Sequence, residues 1–230
     1  MKKTIVLLAA CMFAALSFAM ADTLNIVTTR PTGTDTLTWG QLGVTGTIFN
    51  GPFTAMSTGG VMFTGNYLGA ANQGERLDQG NGWNGNFNSG DQLIWTEASP
   101  GNGPLSLSSG TGLSEIGAQI QADFFGGFTA QIQAFNGNTL LGTFTENGNS
   151  NSNGDNSAIF LGVQDLSGAN ITSIQYSLTS CVLDCTDFAI NQLSLTAGGG
   201  GTGTPEPGSL ILLGTGLLGL AGAAKRRFLS

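Results

Sequence analysis

Two stretches in the middle of the chain alternate apolar and polar residues with a period of two. In Ile116-Gly117-Ala118-Gln119-Ile120-Gln121-Ala122-Asp123 the apolar side chains fall on even positions, and Phe128-Thr129-Ala130-Gln131-Ile132-Gln133-Ala134 repeats the pattern. An extended strand turns successive side chains to opposite faces, so this spacing builds half-buried strands rather than helices. Gln119, Gln121, Gln131 and Gln133 are expected to face outward, with Gly126-Gly127 turning the chain between the two strands. Asn136-Gly137 tolerates positive φ and predicts a tight hairpin into a strand over 139–145. Ala158–Val163 is continuously apolar and reads as a central strand. Strands are also predicted over 171–178 and 187–195. In the second of these the apolar parity shifts between Ile190 and Leu193, which indicates a bulge.

The first half carries the same signal more weakly. Strands are predicted over 37–39, 44–49, 61–64, 92–96 and 105–108, separated by Gly/Asn loops of which 72–90 is the longest. Glycine accounts for 37 of the 230 residues, charged helix formers are scarce, and no long 3.6-residue period runs through the middle. Many short strands at this spacing make an all-β domain, a β-sandwich or jelly roll, over residues 22–196. That length is enough for one domain with a real core.

Composition removes several function classes. The chain has no histidine, which excludes Ser-His-Asp and Cys-His catalysis and any His-ligated zinc or haem. Residues 22–204 hold only two cations, Arg30 and Arg76, against thirteen carboxylates and no lysine. Such a surface repels nucleic acid and anionic lipid. No cofactor is implied, and calcium is the one ion such a surface suits. Cys181 and Cys185, an even pair in an exported domain, read as a small local disulfide.

Both ends carry export features. Met1-Lys2-Lys3 is followed by an almost wholly apolar run to Met20, and Ala19-Met20-Ala21 forms a small-x-small cleavage site, so 1–21 reads as a signal peptide. Leu8-Ala9-Ala10-Cys11 has lipobox character and leaves a lipoprotein route open. At the other end a flexible Gly-rich linker over 197–204 precedes Pro205-Glu206-Pro207. An uncharged segment then runs over 209–224, and Lys225-Arg226-Arg227 closes it. Fifteen helical residues from Leu210 to Ala224 would give roughly 22 Å, a short transmembrane helix with its basic end on the cytoplasmic side.

At Pro205, Glu206, Pro207, the apolar run, Arg226 and Arg227 the chain resembles the PEP-CTERM sorting family, whose tail is also called the ice-binding protein C-terminal domain. It departs in having Thr204 where that family often has Val. The resemblance implies an exosortase as partner, processing near Pro-Glu-Pro in tail 205–230, and export to the envelope of bacteria that build exopolysaccharide or biofilm matrix. The middle is similar to the jelly-roll modules that often precede such tails. The residues carrying that likeness are Trp83–Asp91, Ile116–Phe135, Phe160–Val163 and Phe188–Asn191. It implies a fold related to carbohydrate-binding modules and transfers no ligand.

Individual sites are weaker. The loop Asn147–Asn156 is rich in oxygen ligands but holds a single aspartate and lacks the order of a calcium loop. Trp83 and Phe87 could stack on sugar rings or pin their loop to the core. Asp187 and Asn191 lie where related jelly rolls sometimes hold calcium. Thr45-x-Thr47 and Thr143-x-Thr145 are isolated, not a flat repeat. No catalytic residue is assigned and the chain is expected not to be an enzyme. It reads as an exported structural or glycan-contacting module of the cell surface or extracellular matrix. The competing class, a polysaccharide-active hydrolase, needs two carboxylates in one cleft. Glu97, Glu115, Glu146 and the aspartates supply material for this without a motif tying any two together.

Overall fold

The computed structural model describes residues 23–31, 35–97 and 101–198. The expected signal peptide, including Ala19 and Ala21, lies outside them, as do the tail from Pro205 onward, its 209–224 segment and all but the start of the linker. Among the described residues no helix is long and apolar enough to cross a membrane.

Alternation without helical period produces an all-β fold. Its strands are β1 (Leu24–Val27), β2 (Asp35–Leu37), β3 (Thr47–Asn50), β4 (Phe53–Met56), β5 (Met62–Tyr67), β6 (Gln73–Gln79), β7 (Gly82–Trp83) and β8 (Gln92–Trp95). The second half adds β9 (Leu105–Ala122), β10 (Gly126–Asn136), β11 (Thr139–Ser150), β12 (Ile159–Asp165), β13 (Ile171–Ser180), β14 (Phe188–Ile190) and β15 (Leu193–Ala197). One 3₁₀ turn, Trp39–Leu42, stands where the end of an early strand was expected.

β9 organises the sandwich. Its first part, Leu105–Ser109, pairs with β13 on one side and β5 on the other, giving the first sheet in the order β11-β10-β13-β9-β5-β4. Its second part, Leu113–Ala122, pairs with β12 on one side and with β14 and β15 in succession on the other. β1 lies beyond β12, β2 beyond β15, and β8, β6 and β3 beyond β14. The crossover is a bulge. Ile171 pairs with Leu113 but Ser173 pairs with Ser108, so five steps along β9 match two along β13. Gly112 makes this affordable: a Cβ there would meet the Ala169 carbonyl oxygen at 2.1 Å.

The inward residues of both sheets form one core. Ile116, Ala118 and Ile120 of β9 face Ala130, Ile132 and Ala134 of β10 and Ile174 and Tyr176 of β13, all essentially inaccessible. The Tyr176 hydroxyl donates to the Leu161 carbonyl at 2.7 Å, so the one polar tip in this set is satisfied. Each of the isoleucines contributes about 1.5–3 kcal/mol by leaving water.

Several expectations meet the structure. The Asn136-Gly137 hairpin forms, with Asn136 opposite Thr139 and Gly137 at φ 56°, but β11 runs on to Ser150. The parity shift after Ile190 is a bulge against β9. Ile190 faces Ile120 and Ser194 faces Gly117, so four steps on one strand match three on the other. Other readings are corrected. β9 and β10 form no hairpin: the chain turns at 123–125 and passes from one sheet to the other, so Gly126-Gly127 already begins β10. The strand at 158–163 is second from its edge, covered by β1. The 72–90 loop contains β6, and β4 lies in a segment read as a loop.

Candidate functional site

The outer face of the second sheet is where alternation misleads. Gln119 and Gln121 point away from the core as their parity requires, yet they are buried, Gln121 to 1% exposure. A second apolar cluster of Leu77, Trp83, Phe87 and Leu93 covers this face together with Ala158 and Ala189. Trp83 and Phe87 therefore pin their loop down and do not stand free at its tip; their rings lie 6.4 Å apart. Gln121 accepts from the Asn86 backbone N–H at 2.7 Å and donates to Ser150 Oγ at 2.7 Å and the Asn151 carbonyl at 3.1 Å. The side-chain oxygen of Asn86 in turn accepts from the Asn151 N–H at 2.7 Å. The oxygen-rich 147–156 segment is thus partly strand and partly a loop tied to 85–88, with Asp155 spending its Oδ1 on Ser157.

Beside this cover lies a cavity of about 510 Å³ whose walls include Thr29, Asn88, Asp91, Asn156, Phe160 and Gln192. Its floor follows from two glycines. Gly117 and Gly162 pair across β9 and β12, and a Cβ on Gly117 would come within 2.6 Å of the Phe160 ring. Their absence of side chains lets that ring lie over the backbone. The Arg30 guanidinium then sits over the ring, 5.6 Å from its centroid.

Arg30 is held by neutral oxygens. Nη1 donates to Ser194 Oγ at 3.0 Å and the Gln192 carbonyl at 3.5 Å; Nη2 donates to Asn191 Oδ1 at 3.0 Å and Gln119 Oε1 at 3.4 Å. Asn191 Nδ2 donates to Asp91 Oδ2 at 2.8 Å and to Gln119 Oε1 at 2.7 Å. The Asn191 backbone carbonyl accepts from the buried Trp39 indole at 2.8 Å. Burial pulls the guanidinium below its ordinary value, and the field of Asp91 pulls it back up. The result is a cation joined to the Asp91 carboxylate through the Asn191 amide, at the wall of a polar cavity.

The other sequence candidates scatter. Cys181 and Cys185 form the expected disulfide, with Cα atoms 5.5 Å apart. Asp187 is buried beneath Trp95, whose indole N–H it accepts, and burial together with the fields of Asp123 and Asp184 pushes it up to about 7. Asn191 has its oxygen committed to Arg30 and to the Gln119 N–H at 3.0 Å. Among the described residues no three acidic or cysteine side chains converge as a metal cluster. Glu97 adds to burial in raising Glu75, and neither lines the cavity; Glu115 and Glu146 lie on β9 and β11. Sequence reasoning missed Arg30, Asp91, Gln119 as a buried group, and Asn156 as a unit, because they come from four distant segments. One available signal was that Arg30 and Arg76 are the two cations of a strongly acidic segment.

Residues 204–227 match the PEP-CTERM protein-sorting motif. Comparison with curated proteins gives no match. Among solved structures, Clostridium stercorarium CsCBM6-3, determined in complex with cellobiose, is similar over 72% of this chain and 98% of its own. The identity is 11% and the TM-score 0.30, a likeness too loose to carry a ligand across.

Proposed function

We propose that this chain is a non-catalytic surface or matrix module that is carried out of the cell, handed to an exosortase through its tail, and left in contact with extracellular glycan. The observation that carries the reading is the sorting motif at 204–227, which indicates exosortase-dependent sorting of an exported protein. The finer part rests on the cavity. Its amides, hydroxyls, single carboxylate and half-buried cation offer donors and acceptors in the mixture that sugar hydroxyls use, beside an aromatic ring. Asp91 is the one carboxylate among its described walls, and it is engaged by Asn191. Two-carboxylate glycoside hydrolysis has no second partner there, which supports binding over turnover.

Intact mass of the protein from its native envelope tests the sorting reading. A C-terminus near Pro205–Pro207, with or without added mass, is the expected result. A chain still ending at Ser230 would make the tail a plain membrane anchor and remove the main support. Asn88→Trp, which fills the cavity, tests the second part: retention on envelope polysaccharide should fall in the variant.

A further inference from the structure

The outer face of the first sheet carries rows of uncharged polar side chains. Register places Thr143, Gln133, Gln175, Ser106 and Asn66 in one row across β11, β10, β13, β9 and β5. Thr145, Gln131 and Ser177 form the row on one side, and Ser173, Ser108, Thr64 and Thr54 the row on the other. With strands about 4.8 Å apart, the five-residue row is about 19 Å long. No residue in these rows is charged, although the domain as a whole is strongly acidic; Glu146 of β11 has the opposite parity and pairs with the buried Ala130. Phe135, half-buried, and Leu140, half-exposed, stand together at one end.

Hydrogen-bonding capacity on this face is largely unspent. Gln133 donates to Thr143 at a long 3.4 Å. Thr129, beside these rows, donates to Asn147 at 2.9 Å. Gln131, Gln175, Ser106 and Ser177 have no side-chain partner among the described residues, although each is partly buried by its neighbours. Gln119 and Gln121 on the other sheet are fully engaged.

The geometry points to this face as a docking surface for an uncharged polysaccharide chain, a site separate from the cavity. Charge decides among occupants. Nucleic acid needs cations, which the face lacks. A membrane surface needs a basic or broadly apolar patch. The buried centre of a protein interface is typically apolar and aromatic, whereas the centre here is amide and hydroxyl and the exposed apolar side chains Met56, Met62 and Leu140 stand at its margin. A neutral polyhydroxylated chain matches rows of mixed donors and acceptors, with Phe135 offering an apolar surface to a ring.

The test is retardation of the full-length chain, in detergent, on native gels cast with dextran, hydroxyethyl cellulose or galactomannan, with alginate as the charged comparison. Retardation by at least one neutral polymer is expected. Gln133→Ala/Gln175→Ala should weaken it at least tenfold, and the milder Gln175→Ser should weaken it less, both with unfolding temperatures close to the parent. Asn88→Trp reports on the cavity separately. Absence of retardation by all three neutral polymers overturns the proposal. So does retardation that survives the double variant but disappears in Asn88→Trp, or a preference for alginate. Thermal hysteresis of freezing that is lost in the double variant, without polymer binding, would also overturn it in favour of an ice surface.

Discussion

Four glutamines with the same parity in the sequence have opposite fates. Gln131 and Gln133 on β10 stand on an open sheet face, whereas Gln119 and Gln121 on β9 lie under loops, each with several partners. Alternation reports which side of a strand points away from the core. It does not report whether water or more protein lies there. That depends on segments far off in sequence, here 77–93 and 147–158, which fold over one sheet and leave the other bare.

The sharpest break of this comparison is at Asn191, the hub of the covered face. Asn191→Ala removes acceptors from Arg30 and the Gln119 N–H and donors from Asp91 and Gln119. Leaving a half-buried cation and a buried backbone N–H short of partners should cost about 2–4 kcal/mol, read by urea unfolding. If Asn191→Ala unfolds within 1 kcal/mol of the parent (a threshold set by roughly one ordinary hydrogen bond), the network is not what holds this face. The glutamines themselves come next. Gln121→Ala should cost about 1–3 kcal/mol and Gln131→Ala no more than about 0.5 kcal/mol. Equal losses would mean the two faces do not differ in the way described.

The same contrast shows what was legible. Strand identity was readable wherever a β-segment is half-buried with regular parity, as at 116–122, 128–134 and 171–178, and the bulge after Ile190 was visible as a slip in that parity. β6, Gln73–Gln79, was not, because Arg76 and Glu75 put charges into a strand whose Arg76 is buried against Asp78 at 2.5 Å. The bend of β9 was hidden because its two halves, each patterned like a separate strand, belong to different sheets. The cavity could not be read at all: Arg30, Asp91, Gln119, Asn156 and Phe160 meet only after the sandwich closes. The open polar face was equally hidden, since Thr143-x-Thr145 becomes part of an array only through register with β10 and β13.

A smaller effect sharpens the comparison from the side of pH. Asp187 sits at the edge of the covered region, its folded value raised to about 7 mainly by burial, whereas Asp35, Asp165 and Asp184 are held below their ordinary range by hydrogen bonds to hydroxyls and backbone N–H groups. The two kinds of carboxylate act with opposite sign. For Asp187 the folded state binds its proton more tightly than the unfolded chain, so its contribution favours folding at acid pH and is lost as pH rises from the ordinary aspartate range through about 7. For the other three the contribution is present above the ordinary aspartate range and is lost as pH falls through their lowered values. Subtracting the stability profile of Asp187→Asn from that of the parent cancels the common part. Asparagine keeps an acceptor for the Trp95 indole, so the difference should grow between pH 4 and 7 in favour of the variant and reach on the order of 1–2 kcal/mol at neutral pH, a rise of a few degrees in unfolding temperature. A difference that is flat with pH would place Asp187 in contact with water, and the cover over this end of the sheet would then be open in solution.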